Sequence, residues 1–295
     1  MLSYQHSYHA GNHADVLKHL CLLALIEKLQ IKAKPYFYLD THAGNGCYTL
    51  THAIAHNSQH VDEVVAAKLS AKMAGGNAVI QQYQHIVSSY LDKGMYPGSP
   101  LIAEAQAREQ DTLHMSELHP QAFEDLSHWT KGTSLHIHKR DGFETLNALT
   151  PPKPNRGMVL IDPAYEQAQE YKQVEESVKS LIQKWPQGII AIWYPLLSPT
   201  RINRNTKEIE DNPKASLSEK MLSNLSEFAE QGMIDIQFAV QKPSELVGMY
   251  GSGMVVINPP WQFEESMKPI LSALTSQIQI DDNSLSHVQI VVPSP

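Results

Sequence analysis

Short runs of apolar residues alternate along the chain with longer segments of helical periodicity. Seven of these runs, rich in branched and aromatic residues, predict strands at residues 36–40, 113–118, 135–139, 158–162, 189–194, 234–240 and 254–258. Such alternation is typical of an α/β sheet covered by helices. Glycines between the last two runs favour an antiparallel hairpin at the end of the sheet.

The segment before the first predicted strand has the pattern of an amphipathic helix. Asn12 can cap this helix, with Asp15 three residues later. Five apolar residues then fall on one stripe at helical spacing: Leu17, Leu20, Cys21, Ala24 and Leu25. The pattern therefore predicts an N-terminal helix with one buried stripe.

About seventy residues separate the first two predicted strands, far more than one crossover connection needs. They have helical character that is interrupted at Gly75 and Gly76, and they end in the turn-forming residues 96–100. This indicates a helical insertion over residues 50–95. We therefore predict a single domain over residues 1–295 that contains the insertion as a subdomain.

The composition is that of a globular protein. Its 295 residues, 42% of them hydrophobic and 18% charged, can form one large core and exclude disordered, collagen-like and coiled-coil classes. No apolar run approaches the roughly 20 residues that cross a bilayer, and the first residues lack a basic and then apolar leader, so we expect a cytoplasmic protein. Two cysteines, Cys21 and Cys47, are too few for a disulfide scaffold.

The formal net charge of −8 disfavours a general nucleic-acid coat protein, whose phosphate contacts need a basic excess. A local basic face is still compatible with this charge. Three groups could contribute to one: the lysines of residues 1–34, the basic residues of 131–140, and the group of Arg201, Arg204 and Lys207. Each group alone is also the ordinary charged surface of a globular protein.

Histidines are frequent near the N-terminus, where His6, His9, His13 and His19 suggest a metal hydrolase as a rival class. No cysteine or paired acid completes a recognised ligand spacing. The ammonium of Lys18, beside His19, would also repel a cation. We therefore predict no metal centre.

Acidic residues follow three successive predicted strands. Asp40 ends the first and leads into a turn with glycines, residues 43–46; Glu117 ends the second; Asp141 and Gly142 follow the third. Ligands of open α/β sheets bind at the carboxyl ends of strands, where Glu117 can accept from a ribose diol and Asp141 can meet an adenine amino group. This predicts a nucleotide site, although the turn is not a GxGxxG and could by itself be a simple strand-to-helix turn.

The fourth predicted strand ends in the segment Asp162-Pro163-Ala164-Tyr165. It looks like the [DN]-P-P-[YFW] signature of methyltransferases that act on exocyclic or amide nitrogens. The lone pair of an adenine N6 is delocalised into the ring, so this amine needs acceptors that hold its hydrogens and favour a pyramidal nitrogen. The Asp162 carboxylate and the Pro163 carbonyl can accept them, and Tyr165 can stack on an extruded base.

A second string, Asn-Pro-Pro-Trp at residues 258–261, matches the signature at all four positions. It follows the last strand of the predicted hairpin, on the far side of the sheet from the predicted nucleotide site. A catalytic loop should follow the strand next to the cofactor-binding strand. We therefore place the chemistry at Asp162 and not at Asn258.

Taken together, these features resemble the RlmJ family of bacterial large-subunit ribosomal RNA adenine-N6 methyltransferases. The most specific segments are residues 1–19, 39–44, 96–100, 116–120 and 193–195. The resemblance extends over residues 1–261. It implies a seven-stranded, Rossmann-like class I methyltransferase sheet with a helical insertion, and S-adenosylmethionine as the methyl donor.

The resemblance also implies roles for single residues. The donor would be contacted by His19, His42, Ser99, Glu117, Asp141, Gly142 and Asp162. Asp162 would be the catalytic acid in a loop with Pro163 and Tyr165, and Tyr4 and Lys18 would meet the RNA. Ala164 departs from the family, which usually has a second proline there, and this should cost the loop some rigidity.

The predicted function is N6 methylation of one adenine in 23S ribosomal RNA, as free or partly assembled RNA, without a membrane, a metal or an obligate protein partner. Lys18 would then neutralise a phosphate and steepen the salt dependence of RNA binding. Two alternatives stay open. One is the same chemistry on DNA adenine or on a protein amide; the other is a noncatalytic nucleic-acid-binding protein on this scaffold.

Overall fold

The computed structural model describes residues 10–50, 72, 76–203, 206–278 and 285–294. Within these residues the main sheet has eight strands: β1 Phe37–Asp40, β4 Thr112–Ser116, β5 His136–His138, β6 Gly157–Ile161, β7 Ile189–Leu197, β10 Met233–Ala239, β11 Met249–Ile257 and β12 Leu285–Val292. Two small antiparallel pairs lie outside it: β2 Cys47–Thr49 with β3 Met95–Pro97, and β8 Thr200–Ile202 with β9 Ile209–Asp211.

The main sheet has the order β12-β10-β11-β7-β6-β1-β4-β5. The five strands from β7 to β5 are parallel. The other three are antiparallel: β11 to β7, β10 to β11 and β12 to β10. The strand order reverses at β1, so the carboxyl ends of β1, β4 and β6 meet there. This is where an open α/β sheet binds its ligand.

Helices cover both faces of the sheet. The described helices are α1 His13–Gln30, α2 Ala78–Leu91, α3 Ser99–Glu104, α4 Pro120–Trp129, α5 Gly142–Leu149, α6 Ala168–Lys184, α7 Leu217–Ser226 and α8 Phe263–Ile278. Successive side chains of a strand point to opposite faces, so Tyr38 and Leu160 enter a core with α1, α2 and α8, whereas Leu39 and Val159 enter one with α5, α6 and α7. Burial on both faces explains the continuous apolar runs of the central strands.

All seven predicted strands are present, and an eighth, β12, was not predicted. This strand pairs with β10 at the edge of the sheet. It has several exposed residues, Leu285 among them at 69% exposure, so its pattern lacks the buried run of a central strand. The sheet therefore has eight strands, one more than the seven that were predicted.

The N-terminal helix α1 begins as predicted, because the Asn12 side chain accepts from the Asp15 amide at 2.9 Å. The prediction of a single buried stripe is wrong. Every residue from 14 to 26 is buried, since α1 packs against the sheet through β11 and is flanked by α2, α3 and α8. The helix therefore takes ionisable side chains, including Lys18 and His19, into the interior.

About half of the predicted insertion over residues 50–95 lies outside the described residues. Its described part contains α2, which Asn77 caps by accepting from the amides of Val79 and Ile80. The pair of β2 and β3 lies at the two ends of the segment. The division into a domain and a helical subdomain stays a prediction. No helix of the described residues is long and apolar enough to cross a membrane.

Candidate functional site

A cavity of about 1060 Å³ opens at the carboxyl ends of β1, β4 and β6. The sequence-predicted donor residues all line it: His19, His42, Ser99, Glu117, Asp141, Gly142 and Asp162. These residues come from α1, from the starts of α3 and α5 and from the segments after three strands, so only the fold brings them together. Their contact with the donor itself stays a prediction.

The turn after β1 is joined to the end of β4 through Glu117. Its carboxylate accepts from the Gly44 amide at 2.8 Å and from the His119 amide at 2.7 Å, one bond to each oxygen. Gly44 has a φ of +62°, and a Cβ there would lie 2.2 Å from the Tyr48 hydroxyl, so the turn needs glycine. Burial raises the pKa of Glu117, and the two amides offset part of that shift.

Asp40 lies beneath the cavity wall and does not line it. Its buried carboxylate accepts from the Ser99 hydroxyl at 2.6 Å and from the His42 amide at 3.2 Å. Burial raises the pKa of Asp40 to about 6. This acid therefore holds the first turn and the start of α3 together instead of facing the ligand.

Asp141 begins α5, because its Oδ1 accepts from the amides of Phe143 and Glu144 at 2.9 and 3.0 Å. Gly142 follows directly, and a Cβ there would lie 2.0 Å from the Thr41 carbonyl oxygen. Glycine thus allows the start of α5 to lie against the turn after β1. Asp141 has both a capping role and a position on the cavity wall.

Two imidazoles form further parts of the wall. His42 shares a 2.7 Å hydrogen bond with the Thr41 hydroxyl, and burial lowers its pKa to about 4, so the ring is neutral at pH 7. His19 is 1% exposed and forms a 2.9 Å hydrogen bond with the Tyr96 hydroxyl. His42 therefore presents a neutral ring to the cavity, and His19 a ring that a hydrogen bond holds in place.

The least expected feature is an ion-pair network at Lys18. Its Nζ lies 2.5 Å from Asp162 Oδ2 and 2.9 Å from Asp15 Oδ1. Burial lowers the pKa of Lys18, but the two carboxylates outweigh this and raise it well above its usual value. The residue is 5% exposed, so the structure places this ammonium against carboxylates and not at the surface that the predicted RNA contact requires.

Asp15 was missed as a member of this network. The spacing of three residues between Asp15 and Lys18 on one helix was a visible signal for an ion pair. What hid it was the interpretation of Asp15 as part of the helix cap and of Lys18 as an RNA contact. The contact with Asp162 has no local signal at all, since 144 residues separate it from Lys18.

The predicted catalytic loop follows β6, with Asp162 at its start. Tyr165 has a φ of +50°, and its ring is 2% exposed. The ring packs at centroid distances of 4.4 Å from Tyr171 and 6.0 Å from Trp193, with its hydroxyl 3.9 Å from the Met221 sulfur. Tyr165 therefore belongs to the core under the loop, and little of its face is open for the predicted stacking on a base.

The rival string at Asn258 lies at the opposite edge of the sheet, as predicted. β11 runs antiparallel to β7, so its end lies beside the start of β7. The side-chain amide of Asn258 donates at 2.7 Å to the carbonyls of both Pro186 and Gly188. Trp261 is 84% exposed there and does not line the cavity.

Some of the residues predicted to contact RNA are not described by the structure, and others lie away from the cavity. Tyr4 and Arg204 lie outside the described residues. Arg201, on the β8–β9 pair, lies 2.7 Å from Glu210 in an ion pair, so that pair of strands does not carry an uncompensated cation at this position. Among the described residues, no group of three or more His, Cys, Asp or Glu side chains could hold a metal ion.

Comparison with known proteins shows similarity over nearly the whole chain. The family model RsmJ, described as "Ribosomal RNA large subunit methyltransferase D, RlmJ", matches residues 33–291. Two proteins named Ribosomal RNA large subunit methyltransferase J are similar, from Escherichia coli at 37% identity and from Haemophilus influenzae at 36%, each over 99% of this chain and 100% of the relative. A crystal structure from Legionella pneumophila, of family DUF519, has 30% identity and a TM-score of 0.77, and covers 96% of this chain and 98% of its own.

Proposed function

Because the chain belongs to the RlmJ family of ribosomal RNA large subunit methyltransferases, we propose that it methylates the N6 amine of an adenine in 23S ribosomal RNA. The observation that carries this proposal is the position of Asp162, which starts a loop at the end of β6 and lines the same cavity as Glu117 and Asp141. An acid that can accept N6 hydrogens thus lies beside the predicted nucleotide-binding acids. The two curated relatives named above support a large-subunit RNA as the substrate class.

The residues of the cavity fit S-adenosylmethionine, which when bound supplies an electrophilic methyl group. A carboxylate has about four acceptor positions, and the amides of Gly44 and His119 occupy two of those of Glu117, which leaves room for two ribose hydroxyls. Glycine at position 142 lets the start of α5 lie against the turn after β1, so Asp141 and His42 line the same cavity. The acidic groups on this side of the cavity also suit a ligand with positive charge.

Asp162 would hold the acceptor amine. Lys18 binds Oδ2, whereas Oδ1 has no hydrogen-bond partner among the described residues and can accept one N6 hydrogen. The Pro163 carbonyl can accept the other. Acceptors that are held in place before the reaction stabilise the charge that develops on N6 as the new carbon–nitrogen bond forms, without reorganising at that moment.

The test is methyl transfer from labelled donor to three acceptors: a 23S ribosomal RNA transcript, DNA of the same sequence and a mixture of ribosomal proteins. We expect label in the RNA alone, and N6-methyladenosine after digestion to nucleosides. Label in DNA or protein would favour the alternative in which the same chemistry acts on DNA adenine or on a protein amide. A folded protein that binds donor and RNA but transfers nothing would favour the noncatalytic alternative.

A variant ties the activity to the loop. Asp162→Ala should lower kcat by a factor on the order of 100 to 1000, since it removes an acceptor used in the transition state. Its circular dichroism spectrum should match that of the unchanged protein. Full activity in a folded Asp162→Ala variant would contradict the assigned role.

A further inference from the structure

The loop that carries Asp162 is held by a lysine from a later part of the chain. Lys214, between β9 and α7, donates from Nζ to the carbonyl oxygens of Tyr165 at 2.9 Å and Glu166 at 3.2 Å. We propose that Lys214 is a positioning residue for this loop and supplies the rigidity that a proline at position 164 would supply and that Ala164 does not. The inference rests on the proposed function for its catalytic consequence, but the clamp itself can be tested without activity.

The loop needs such a clamp for two reasons. Tyr165 has a φ of +50°, a conformation that side chains with a Cβ rarely adopt without support. Ala164, unlike proline, does not restrict its own φ. The backbone directly after Ala164 is where the ammonium of Lys214 binds, and hydrogen bonds from a charged donor are stronger than neutral ones. The clamp therefore acts where the chain is least restrained by its own covalent structure.

Lys214 is itself attached to the end of a neighbouring strand. Its amide donates to Asn212 Oδ1 at 3.1 Å, and the Asn212 side-chain amide donates to the Ser198 carbonyl at 3.0 Å. The Asn212 backbone amide donates to the Pro199 carbonyl at 2.7 Å. Ser198 follows β7, which pairs with β6 in the sheet. Lys214 thus links the loop after β6 to the chain after β7, and its ammonium starts from an ordered backbone.

The surroundings of Lys214 explain why a lysine suits this position. It is half-buried on the wall of the cavity, with Glu166 and Glu170 as nearby acids and Arg201 as a nearby cation. Burial lowers the pKa of Lys214, and the two glutamates offset part of that effect. The ammonium therefore stays within an acidic and carbonyl-rich environment. An alternative role for a cation on this wall is contact with an RNA phosphate, which the experiment must separate from positioning.

The first experiment compares hydrogen–deuterium exchange of the backbone in residues 162–168. Lys214→Met removes the ammonium and keeps the length of the side chain, Lys214→Arg keeps a charged donor, and Lys220→Met is a control at an exposed lysine of α7. We expect faster exchange of this segment in Lys214→Met, partial rescue in Lys214→Arg and no change in the control. Equal exchange in all variants would overturn the clamp, whether or not the protein methylates RNA.

The second experiment measures steady-state methylation of the RNA transcript. Lys214→Met should lower kcat by a factor on the order of 10 to 100, as expected for a small misplacement of a catalytic group, with the KM for RNA changed less than about twofold. Lys214→Arg should recover part of kcat. A raised KM with unchanged kcat, and a salt slope of RNA binding flatter by about one unit, would instead assign Lys214 to a phosphate and overturn the proposal.

A third variant tests the link to Ala164. The described structure shows no hydrogen bond from the Ala164 amide, so Ala164→Pro removes none. We expect this change to slow exchange of the loop and to raise kcat more in the Lys214→Met background than in the unchanged protein, because two groups that restrain one loop are not additive. If the effects of Ala164→Pro and Lys214→Met on kcat are strictly additive, Lys214 does not replace the restraint that a proline would give. Absence of methylation by the unchanged protein would refute the proposed function, and the exchange data would still decide the clamp.

Discussion

Lys18 was expected at the RNA-binding surface, but its side chain is buried against two carboxylates. Its ammonium lies between Asp15 and Asp162 inside the fold, so removal of the cation takes away the positive charge that both buried carboxylates contact. We expect Lys18→Met to lower the free energy of unfolding by about 3 kcal/mol, the usual effect of breaking a buried pair. It should also lower kcat, since Asp162 loses the group that orients it.

The same variant distinguishes this role from RNA binding. Because Lys18 is buried, the salt slope of RNA binding should be the same in Lys18→Met as in the unchanged protein, measured by titration at several salt concentrations. Lys28→Met, at the last turn of the same helix, is the control for a general loss of positive charge. A slope flatter by about one unit for Lys18→Met alone would show that Lys18 contacts an RNA phosphate.

Two residues of the first turn should affect acid stability in opposite directions. The pKa of Asp40 is raised to about 6, so between pH 4 and 6 the folded chain keeps a proton that the unfolded chain releases, and stability falls as the pH rises. The pKa of His42 is lowered to about 4, so its contribution to stability is present above pH 6.5 and is lost as the pH falls towards 4. The two effects partly cancel in the unchanged protein.

Urea unfolding at pH 4 to 7 can separate them. Asp40→Asn should make the loss of stability on acidification steeper, and His42→Gln should make it shallower, each by on the order of 2 kcal/mol over this range. The asparagine can still accept from Ser99, so the turn should persist. Parallel pH profiles for all three proteins would show that neither group has a shifted pKa.

At the scale of elements, the end of β11 differs most from the proposed catalytic loop after β6. Asn258 has a φ of +55°, which asparagine tolerates better than most residues, and its side chain holds two carbonyls before β7. Asn258→Ala should therefore lower the free energy of unfolding by about 2 kcal/mol. Its kcat should stay within about twofold of the unchanged protein, because the position lies at the edge of the sheet away from the cavity.

The comparison with Asp162→Ala makes this a paired experiment. Thermal or urea unfolding gives the stability of each variant, and methylation of the RNA transcript gives kcat. We expect Asn258→Ala to be active and less stable. Asp162→Ala should be folded and inactive, with a loss of stability of its own because it breaks the pair with Lys18. The reverse pattern of activity would mean that the catalytic loop is the one at Asn258.

Local sequence patterns predicted whether a segment is a helix or a strand better than they predicted what that segment packs against. Strands with buried runs on both faces were all predicted, since branched apolar residues in short runs have few other stable arrangements. β12 was missed because an edge strand with an exposed face lacks that signal. The cap of α1 was visible at Asn12, but the burial of the whole helix depends on three other helices and on β11.

At the scale of the whole molecule, donor binding should stabilise the fold by mass action. S-adenosylmethionine or its demethylated product, at 100 times its Kd, should add about 2.7 kcal/mol to the free energy of unfolding and raise Tm, whereas NADH should have no effect. Differential scanning fluorimetry measures this directly. A folded protein whose Tm does not move at saturating donor would contradict the assigned cavity.

A matched pair of glycine variants localises the effect. Gly44→Ala places a Cβ 2.2 Å from the Tyr48 hydroxyl at the cavity, so the donor-induced rise in Tm should be lost. Gly94 has a similar positive φ, +69°, and no atom of the described residues lies within 4 Å of an added Cβ, so Gly94→Ala should lose stability but keep the rise in Tm. Equal responses would show that backbone strain, not the turn, determines the result.

Sequence alone determined the class of fold, the cap of the first helix and the acids at the strand ends, because each depends on residues that are close along the chain. The tertiary structure decided which groups share an environment. Lys18 meets Asp162 across 144 positions, and Lys214 meets Tyr165 across 49. It also turned Tyr165 into the core and placed Asp40 beneath the cavity instead of on its wall. Such contacts leave no periodic trace in the sequence, since they arise only when elements from distant parts of the chain pack at one edge of the sheet.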